Sequence, residues 1–260
     1  MVMSGGTHKS KSVQIYILGH RETTEPYPDN EIYTPVECAA SYHQKHLFNI
    51  RDNQGDNIGE FNKVYCEMTG VYEVAKNLEL PSIIGICQYR RRLKFGSAEE
   101  VEKVFESFDA IAAEPLKMGM SPYDQYAKCH NRGDMELVEK IIREKYPEYL
   151  KGFDRYIKNG NTLFYSNGVI LRREDFLDYC GFYFGFAEEF RKRKGWDSVD
   201  KAVSDIEDEM IKGERKKTRG LSYQSLVLGF LSERLLTLFL LTRFGVERIK
   251  TVKYEKYEGV

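Results

Sequence analysis

The chain has 260 residues, 42% hydrophobic and 30% charged, which is the composition of a globular protein with a sizeable core rather than of a disordered or membrane-spanning chain. Its 39 Lys+Arg oppose 40 Asp+Glu, so no global field favours a polyanion, and nucleic acid is not expected as a partner. The five cysteines, Cys38, Cys66, Cys87, Cys129 and Cys180, form no C-x-x-C pair, and an odd, scattered set is that of reduced thiols in a cytosolic compartment.

Residues 1–12 are polar without an apolar h-region, so a disordered tail and no targeting signal are expected, with a single domain over 13–260. Gln14–Leu18 is a first strand, ending next to His20, which is placed to reach a site. His43 and His46 lie three apart without a third ligand nearby, so no zinc site is expected. Arg51–Asn62 (RDNQGDNIGEFN) is a polar loop that superficially resembles a calcium loop. The match fails because, counted from Asp52, the sixth position is Asn57 rather than Gly and the twelfth is Lys63 rather than Glu. A helix follows over 63–78, capped by Asn62, with Tyr65, Met68, Thr69, Tyr72 and Ala75 on one face.

Ser82–Cys87 has the pattern of a buried strand and ends abruptly in Gln88-Tyr89-Arg90-Arg91-Arg92. Ligands collect at the carboxyl ends of strands in open α/β sheets, and adjacent guanidinium forks suit a phosphate or diphosphate. A solvated basic strand end is the alternative. Ser97 and Glu100 form a capping box for a helix through Phe108, Asp109–Ala113 is a further strand, and Asp134 caps a helix with Leu137, Val138, Ile141 and Ile142 inside. In Asn161–Arg173 (NTLFYSNGVILRR), local rules give a hairpin with a type I′ turn at Asn167-Gly168. One continuous strand whose Asn side chain and glycine backbone face a sugar is the alternative.

All seven prolines lie at or before Pro147, so the C-terminal part should be helix-rich. Arg191–Gly220 reads as a solvated helix plus a mobile loop. Ser222 is expected to cap a long helix bearing Leu226, Phe230, Leu231, Leu235 and Leu238, stopped at Gly245. It is read as a core helix, with an amphipathic helix lying on a membrane as the other reading, because Arg234, Arg243 and Arg248 flank it. The alternation of strands and helices gives an α/β fold with a largely parallel sheet.

GDNIGEFNKVYCEMTGVYEVAKN (Gly55–Asn77), IIGICQYRRRLKF (Ile83–Phe95) and GFLSERLL (Gly229–Leu236), in that order, resemble bacterial capsular and exopolysaccharide biosynthesis proteins catalogued as a domain of unknown function, DUF4422, and treated as glycosyltransferases. IYILGHR (Ile15–Arg21), YTPVECA (Tyr33–Ala39), FDAIAAEP (Phe108–Pro115) and NGVILRREDF (Asn167–Phe176) extend the likeness over nearly the whole chain. Two departures bear on acceptor choice: Gln88 and Arg92 stand where the family usually has His and an aromatic residue, and Glu73 and Ala75 where it has tryptophans.

The resemblance implies a GT-A-like, Rossmann-type domain that moves a sugar from a nucleotide-sugar donor to a glycan or lipid-linked acceptor, in the cytoplasm or peripherally at the inner face of the membrane. A non-catalytic nucleotide- or glycan-binding protein of the same fold is the alternative. Negative charge grows on a nucleotide-diphosphate leaving group during transfer, and many GT-A enzymes meet it with Mn²⁺ or Mg²⁺ on an Asp-x-Asp. This chain has QYRRR there, so Arg90 and Arg91 are expected to do part or all of the metal's work, with Tyr89 positioning nucleotide or sugar and Gln88 orienting. Asp56 and Asn57 are expected on donor hydroxyls, Glu67 as an orienting residue or as a stabiliser of its helix's first turns, Asn167 and Gly168 along the sugar, and Glu233–Arg234 as an ion pair closing the site or as a structural bridge packing the last helix. The expected base is Asp56 first and Glu233 second.

Overall fold

A computed structural model describes residues 11–28 and 30–258. The N-terminal tail expected over 1–12 falls, up to residue 10, outside the described residues. In chain order the strands are β1 (Val13–Gly19), β2 (Tyr33–Glu37), β3 (Ile83–Gln88), β4 (Arg91–Leu93), β5 (Ala110–Ala113), β6 (Leu116–Lys117), β7 (Thr162–Leu163), β8 (Val169–Arg172), β9 (Ile249–Val252) and β10 (Tyr254–Lys256). The helices are α1 (Asn62–Tyr65), α2 (Met68–Asn77), α3 (Ala98–Val104), α4 (Pro122–Cys129), α5 (Arg132–Lys145), α6 (Leu150–Gly152), α7 (Arg173–Lys194), α8 (Val199–Lys212), α9 (Gly220–Gln224) and α10 (Val227–Arg243).

One eight-stranded sheet runs β2-β1-β3-β8-β5-β9, and β4 turns back from the end of β3 to carry β10. Period-two alternation divides its side chains between two cores. Ile84, Ile86, Val169, Leu171, Ala110 and Ala112 face the larger core with α2, α7 and α10, while Ile83, Cys87, Ile170 and Ile111 face the smaller one with Val101 of α3. The sheet is mixed rather than largely parallel. β1 pairs with β2 and β3, and β5 with β9, in parallel, but β8 runs antiparallel to both β3 and β5. A strand's apolar pattern records burial and not direction, which is why its sequence gave no sign of this.

Other expectations are corrected by local geometry. The helix expected over 63–78 breaks at Cys66, whose φ of +53° separates α1 from α2; Asn62 begins α1 and donates to the Cys66 carbonyl instead of capping. Ser97 does cap α3, but that helix ends at Val104. Asn131 caps α5, while Asp134 is wholly buried. Ser222 lies inside α9, and α10 starts at Val227 with no side-chain cap. The Asn167-Gly168 hairpin does not form: Ser166 and Asn167 take the positive φ values, β7 pairs with β6, and β8 pairs with β3 and β5.

Within Arg191–Gly220, α8 buries Ala202 and Ile206, and Trp196 and Arg215 are 1% exposed, so this stretch packs closely on the rest of the fold. Gly220–Arg243 is apolar enough to cross a membrane by length and composition, but 72% of its most apolar window is buried inside the protein, as befits a core helix. Gly245, with φ +73°, stands just beyond its end as expected.

Candidate functional site

The carboxyl ends of β1 and β3 open onto two adjoining cavities. The smaller, about 240 Å³, is lined by Gly19, His20, Ala39, Asn62, Tyr89 and Leu226 among others. The larger, about 360 Å³, is lined by Arg91, Gln125, His130, Tyr165, Arg219, Tyr223, Phe230, Glu233 and Arg234. Cys66, Glu67, Gln88, Arg90 and Leu226 line both. A still larger cavity of about 980 Å³ lies between α2 and α7, but its walls gather none of the strand-end groups.

A directional hydrogen-bond chain crosses the junction. Arg91 donates to Gln88 Oε1 at 3.2 Å, and Gln88 Nε2 donates to Glu67 Oε1 at 2.6 Å. Asn167 Nδ2 donates to the same oxygen at 2.9 Å and to Ser232 Oγ at 2.8 Å; Ser232 in turn donates to the Gly229 carbonyl. The carboxylate can only accept and Ser232 has used its proton, so both amide orientations are fixed by chemistry. Gln88 suits this link because one amide accepts from the arginine and donates to the carboxylate.

The backbone around the cleft is strained. All five non-glycine residues with positive φ among the described residues border it: Ala39, Cys66, Ser166 and Arg219 line the cavities, and Asn167 binds Glu67. Conformations of this kind cost on the order of 1–3 kcal/mol each and collect where function demands them. Cys66, at φ +53° and ψ −136°, sets Glu67 at the head of α2.

Glu233 lines the larger cavity only. Its Oε1 accepts from the Ser166 N–H at 2.8 Å, its Oε2 pairs with Arg234 at 3.0 Å, and its side chain is 20% exposed. Burial pushes its carboxyl above the ordinary value of 4.5, with Arg234 opposing the shift and Glu67 adding to it. Arg234, 4% exposed, also donates to the Phe230 carbonyl and to Gln125, and its Nε has no partner. The expected Glu233–Arg234 ion pair is therefore present, with the arginine built into the cavity wall.

His20 and Tyr89 meet edge to face at 5.1 Å on the smaller-cavity side. Burial first, then Arg21 and Arg90, push His20 down to about 4, so its ring is neutral near pH 7. Arg90 is exposed on the turn between β3 and β4. Arg92 departs from its neighbours. It is 2% exposed, bonded to the Tyr89 and Pro26 carbonyls and Thr23, and its guanidinium lies over the Tyr257 ring at 4.0 Å, so it pins the β3–β4 turn.

Three site expectations fail. Asp56 accepts from the Tyr72 hydroxyl at 3.2 Å, and its backbone N–H bonds to Asn77, five and ten residues along the helix from Glu67. At 1.5 Å per residue that is roughly 7–15 Å from the junction, so Asp56 is not brought to the cleft. Asn57 is spent on its own loop, bonding the Gly55 carbonyl and the Gly59 N–H. Gly168 faces the Tyr254 ring, whose hydroxyl accepts from its N–H at 3.1 Å, rather than a cavity. His43 and His46 both turn to Glu37. His130, Arg219, Tyr223 and Phe230 were not anticipated: they come from α5's approach, the α8–α9 loop, α9 and α10, and no local pattern announces their meeting.

The chain matches the family model described as a domain of unknown function, DUF4422, over residues 14–207. The chain belongs to the DUF4422 family. This member's fold also matches the apo structure of WbbM, described as a bifunctional glycosyltransferase, with a TM-score of 0.72 and 21% identity over 96% of this chain and 45% of that one. It thus spans less than half of the WbbM chain, and at that identity the likeness is one of fold. The expected glycosyltransferase-type α/β fold is therefore observed in this DUF4422 chain. No curated protein matches it.

Proposed function

We propose that this DUF4422 chain is a glycosyltransferase, taking a nucleotide-diphosphate sugar as donor and a glycan or lipid-linked glycan as acceptor in capsule or exopolysaccharide synthesis, at the cytoplasmic face of the membrane. The observation that carries the reading is the junction of two strand-end cavities at Glu67, Gln88 and Arg90. One cavity for each substrate, meeting at a charged seam, is what group transfer between two bound molecules needs. The glycosyltransferase fold of WbbM supports it.

In this reading Arg90, which lines both cavities, takes the charge that grows on the departing diphosphate, where preorganised donors stabilise a transition state most, and Arg91, on the larger-cavity side, fixes Gln88 by its hydrogen bond. His20 and Tyr89 contact the nucleotide side. Glu233 receives the proton of the acceptor hydroxyl, burial raising its carboxyl above the ordinary value and so making it a stronger base than a solvated glutamate. Glu67, held by Gln88 and Asn167, orients the sugar at the junction. Among the described residues no group of three His, Cys, Asp or Glu side chains is arranged to hold a metal ion, and the cleft carboxylates Glu67 and Glu233 already accept hydrogen bonds, so the reading assigns the leaving-group charge to the arginine side.

Calorimetric titration with UDP-, GDP-, CMP- and dTDP-sugars tests the reading. One of them binds the wild type and loses at least tenfold in affinity in Arg90→Ala; no binding by any donor, with no transfer or hydrolysis, would remove it. Transfer that dies in EDTA and returns with Mn²⁺ or Mg²⁺ would transfer the role of Arg90 to an ion.

A further inference from the structure

We propose that the larger cavity is the acceptor subsite and that Tyr223 and Phe230, backed by His130, form a ledge on which a sugar ring of the acceptor glycan stacks. This rests on the glycosyltransferase reading and adds the chemical class of what the second cavity holds. The three rings come from the chain before α5, from α9 and from α10. His130 stacks on Phe230 at 4.3 Å and 28° and lies at 6.0 Å and 25° from Tyr223, with Tyr223 and Phe230 4.8 Å apart. All three line the larger cavity and none lines the smaller one. Tyr223 and Phe230 are only half-buried, so their rings are not consumed by the core, whereas His130, 3% exposed and packed between Phe230 and Tyr126, supports them from behind.

Aromatic faces carry a negative quadrupole, and the C–H face of a sugar ring presents weakly positive hydrogens to them. A sugar also needs hydroxyl partners, and His130 supplies one. Gln224 Nε2 donates to the carbonyls of Cys129 and Thr218, which turns its Oε1 toward His130 Nδ1 at 3.0 Å. That oxygen can only accept, so Nδ1 carries the proton. The ring is kept neutral, pushed down to about 4 by burial, opposed by the Gln224 bond and reinforced by Arg234 and Arg215. His130 Nε2 therefore keeps a free lone pair with no partner among the described residues, suited to a sugar hydroxyl.

The remaining walls agree. Glu233, the proposed base, lines this cavity and not its neighbour, as a group that must touch the acceptor hydroxyl should. Arg219 extends the ledge, its guanidinium 4.9 Å over the Tyr223 ring. The loop bearing it is held by Arg215, which is buried between Asp134 at 2.6 Å and Glu209 at 2.8 Å.

The test uses the full chain with methyl and n-octyl glycosides of galactose, glucose, mannose and rhamnose as probes. With a donor that the wild type turns over, Tyr223→Leu and Phe230→Leu raise the acceptor KM at least tenfold for methyl and octyl glycosides alike. Tyr223→Phe, which keeps the ring, restores it to within twofold, and the Kd for UDP or GDP moves less than twofold in all three. A KM rise confined to octyl glycosides would make the ledge an aglycone site, and a parallel loss of nucleotide affinity would make it a base-stacking site; either overturns the proposal. Saturation-transfer NMR with the methyl glycosides needs no turnover: ring-proton contacts in the wild type that vanish in Tyr223→Leu support the ledge even if no donor reacts, and their absence in the wild type overturns it.

Discussion

Glu233 and the two cleft histidines have opposite displacements for one reason, removal from water, and this separates their roles. Burial disfavours the charged form, which raises a carboxylic acid and lowers an imidazole. Glu233 thus stays protonated to a higher pH than an ordinary glutamate, and as a base it is lost when pH falls through that raised value. His20 and His130, both pushed down to about 4, have already shed their protons well below neutrality. An acid limb in kcat/KM above the ordinary glutamate value of 4.5 therefore belongs to Glu233. In Glu233→Gln, kcat is expected to fall 10²–10⁴-fold, roughly the range of a single general base, and that limb disappears. A limb that persisted unchanged in the variant, measured at saturating donor, would assign the base elsewhere. Residue chemistry also explains which of the expected residues reach the cleft. Gln88, Arg90 and Arg91 follow a buried strand and could be located by its end, whereas Asp56 and Asn57 looked equally polar but spend that polarity on Tyr72, Asn77 and their own turn. Composition cannot tell a polar group that is free from one that is satisfied locally.

At the scale of elements, close helix contacts hold the strained junction together. Gly229 on α10 sits where a Cβ would come within 2.7 Å of Cys66 Cβ, the residue that breaks α1 from α2. Alanine in a helix interior is normally worth up to ~1 kcal/mol over glycine. Here overpacking of about 1–3 kcal/mol wins, so Gly229→Ala should lower stability in urea and displace Glu67, reducing turnover more than donor affinity. A gain in stability would show that α10 can back away freely. Charge burial gives a second contrast. Arg215→Met strands Asp134 and Glu209, with Lys194 left to offset part of the loss, and is expected to cost about 3–5 kcal/mol. Lys201→Ala breaks an exposed pair with Asp205 and should cost under ~1 kcal/mol. The charged Arg191–Gly220 stretch suggested a solvated helix plus a mobile loop, because a single charge pattern does not reveal that Asp134, far away in sequence, pairs with one of its arginines.

For the whole molecule, the sequence's apolar runs were enough to find β1, β3 and β5 and the buried α10, since each has a pattern that its own burial dictates. Strand direction and the meeting of α4, α9 and α10 with the β3–β4 turn were not legible, because these are set by packing among segments distant in the chain. That assembly makes a global prediction. If the cleft is formed by elements from both ends of the chain, donor binding should stabilise the entire fold rather than a local loop. A nucleotide-sugar at ~100 times its Kd contributes about 2.7 kcal/mol to the native state. For a domain of this size each kcal/mol moves Tm by ~2–4 °C, so roughly 5–10 °C is expected in the wild type. Arg90→Ala, exposed on its turn, should unfold at the same temperature as the wild type without donor and lose most of the shift with it. Arg92→Ala should do the reverse, lowering the donor-free Tm because its guanidinium holds the turn by three hydrogen bonds and two aromatic faces. The same response in both variants would mean that the arginines act as one structural cluster, and the assignment of Arg90 to the diphosphate would fail with it.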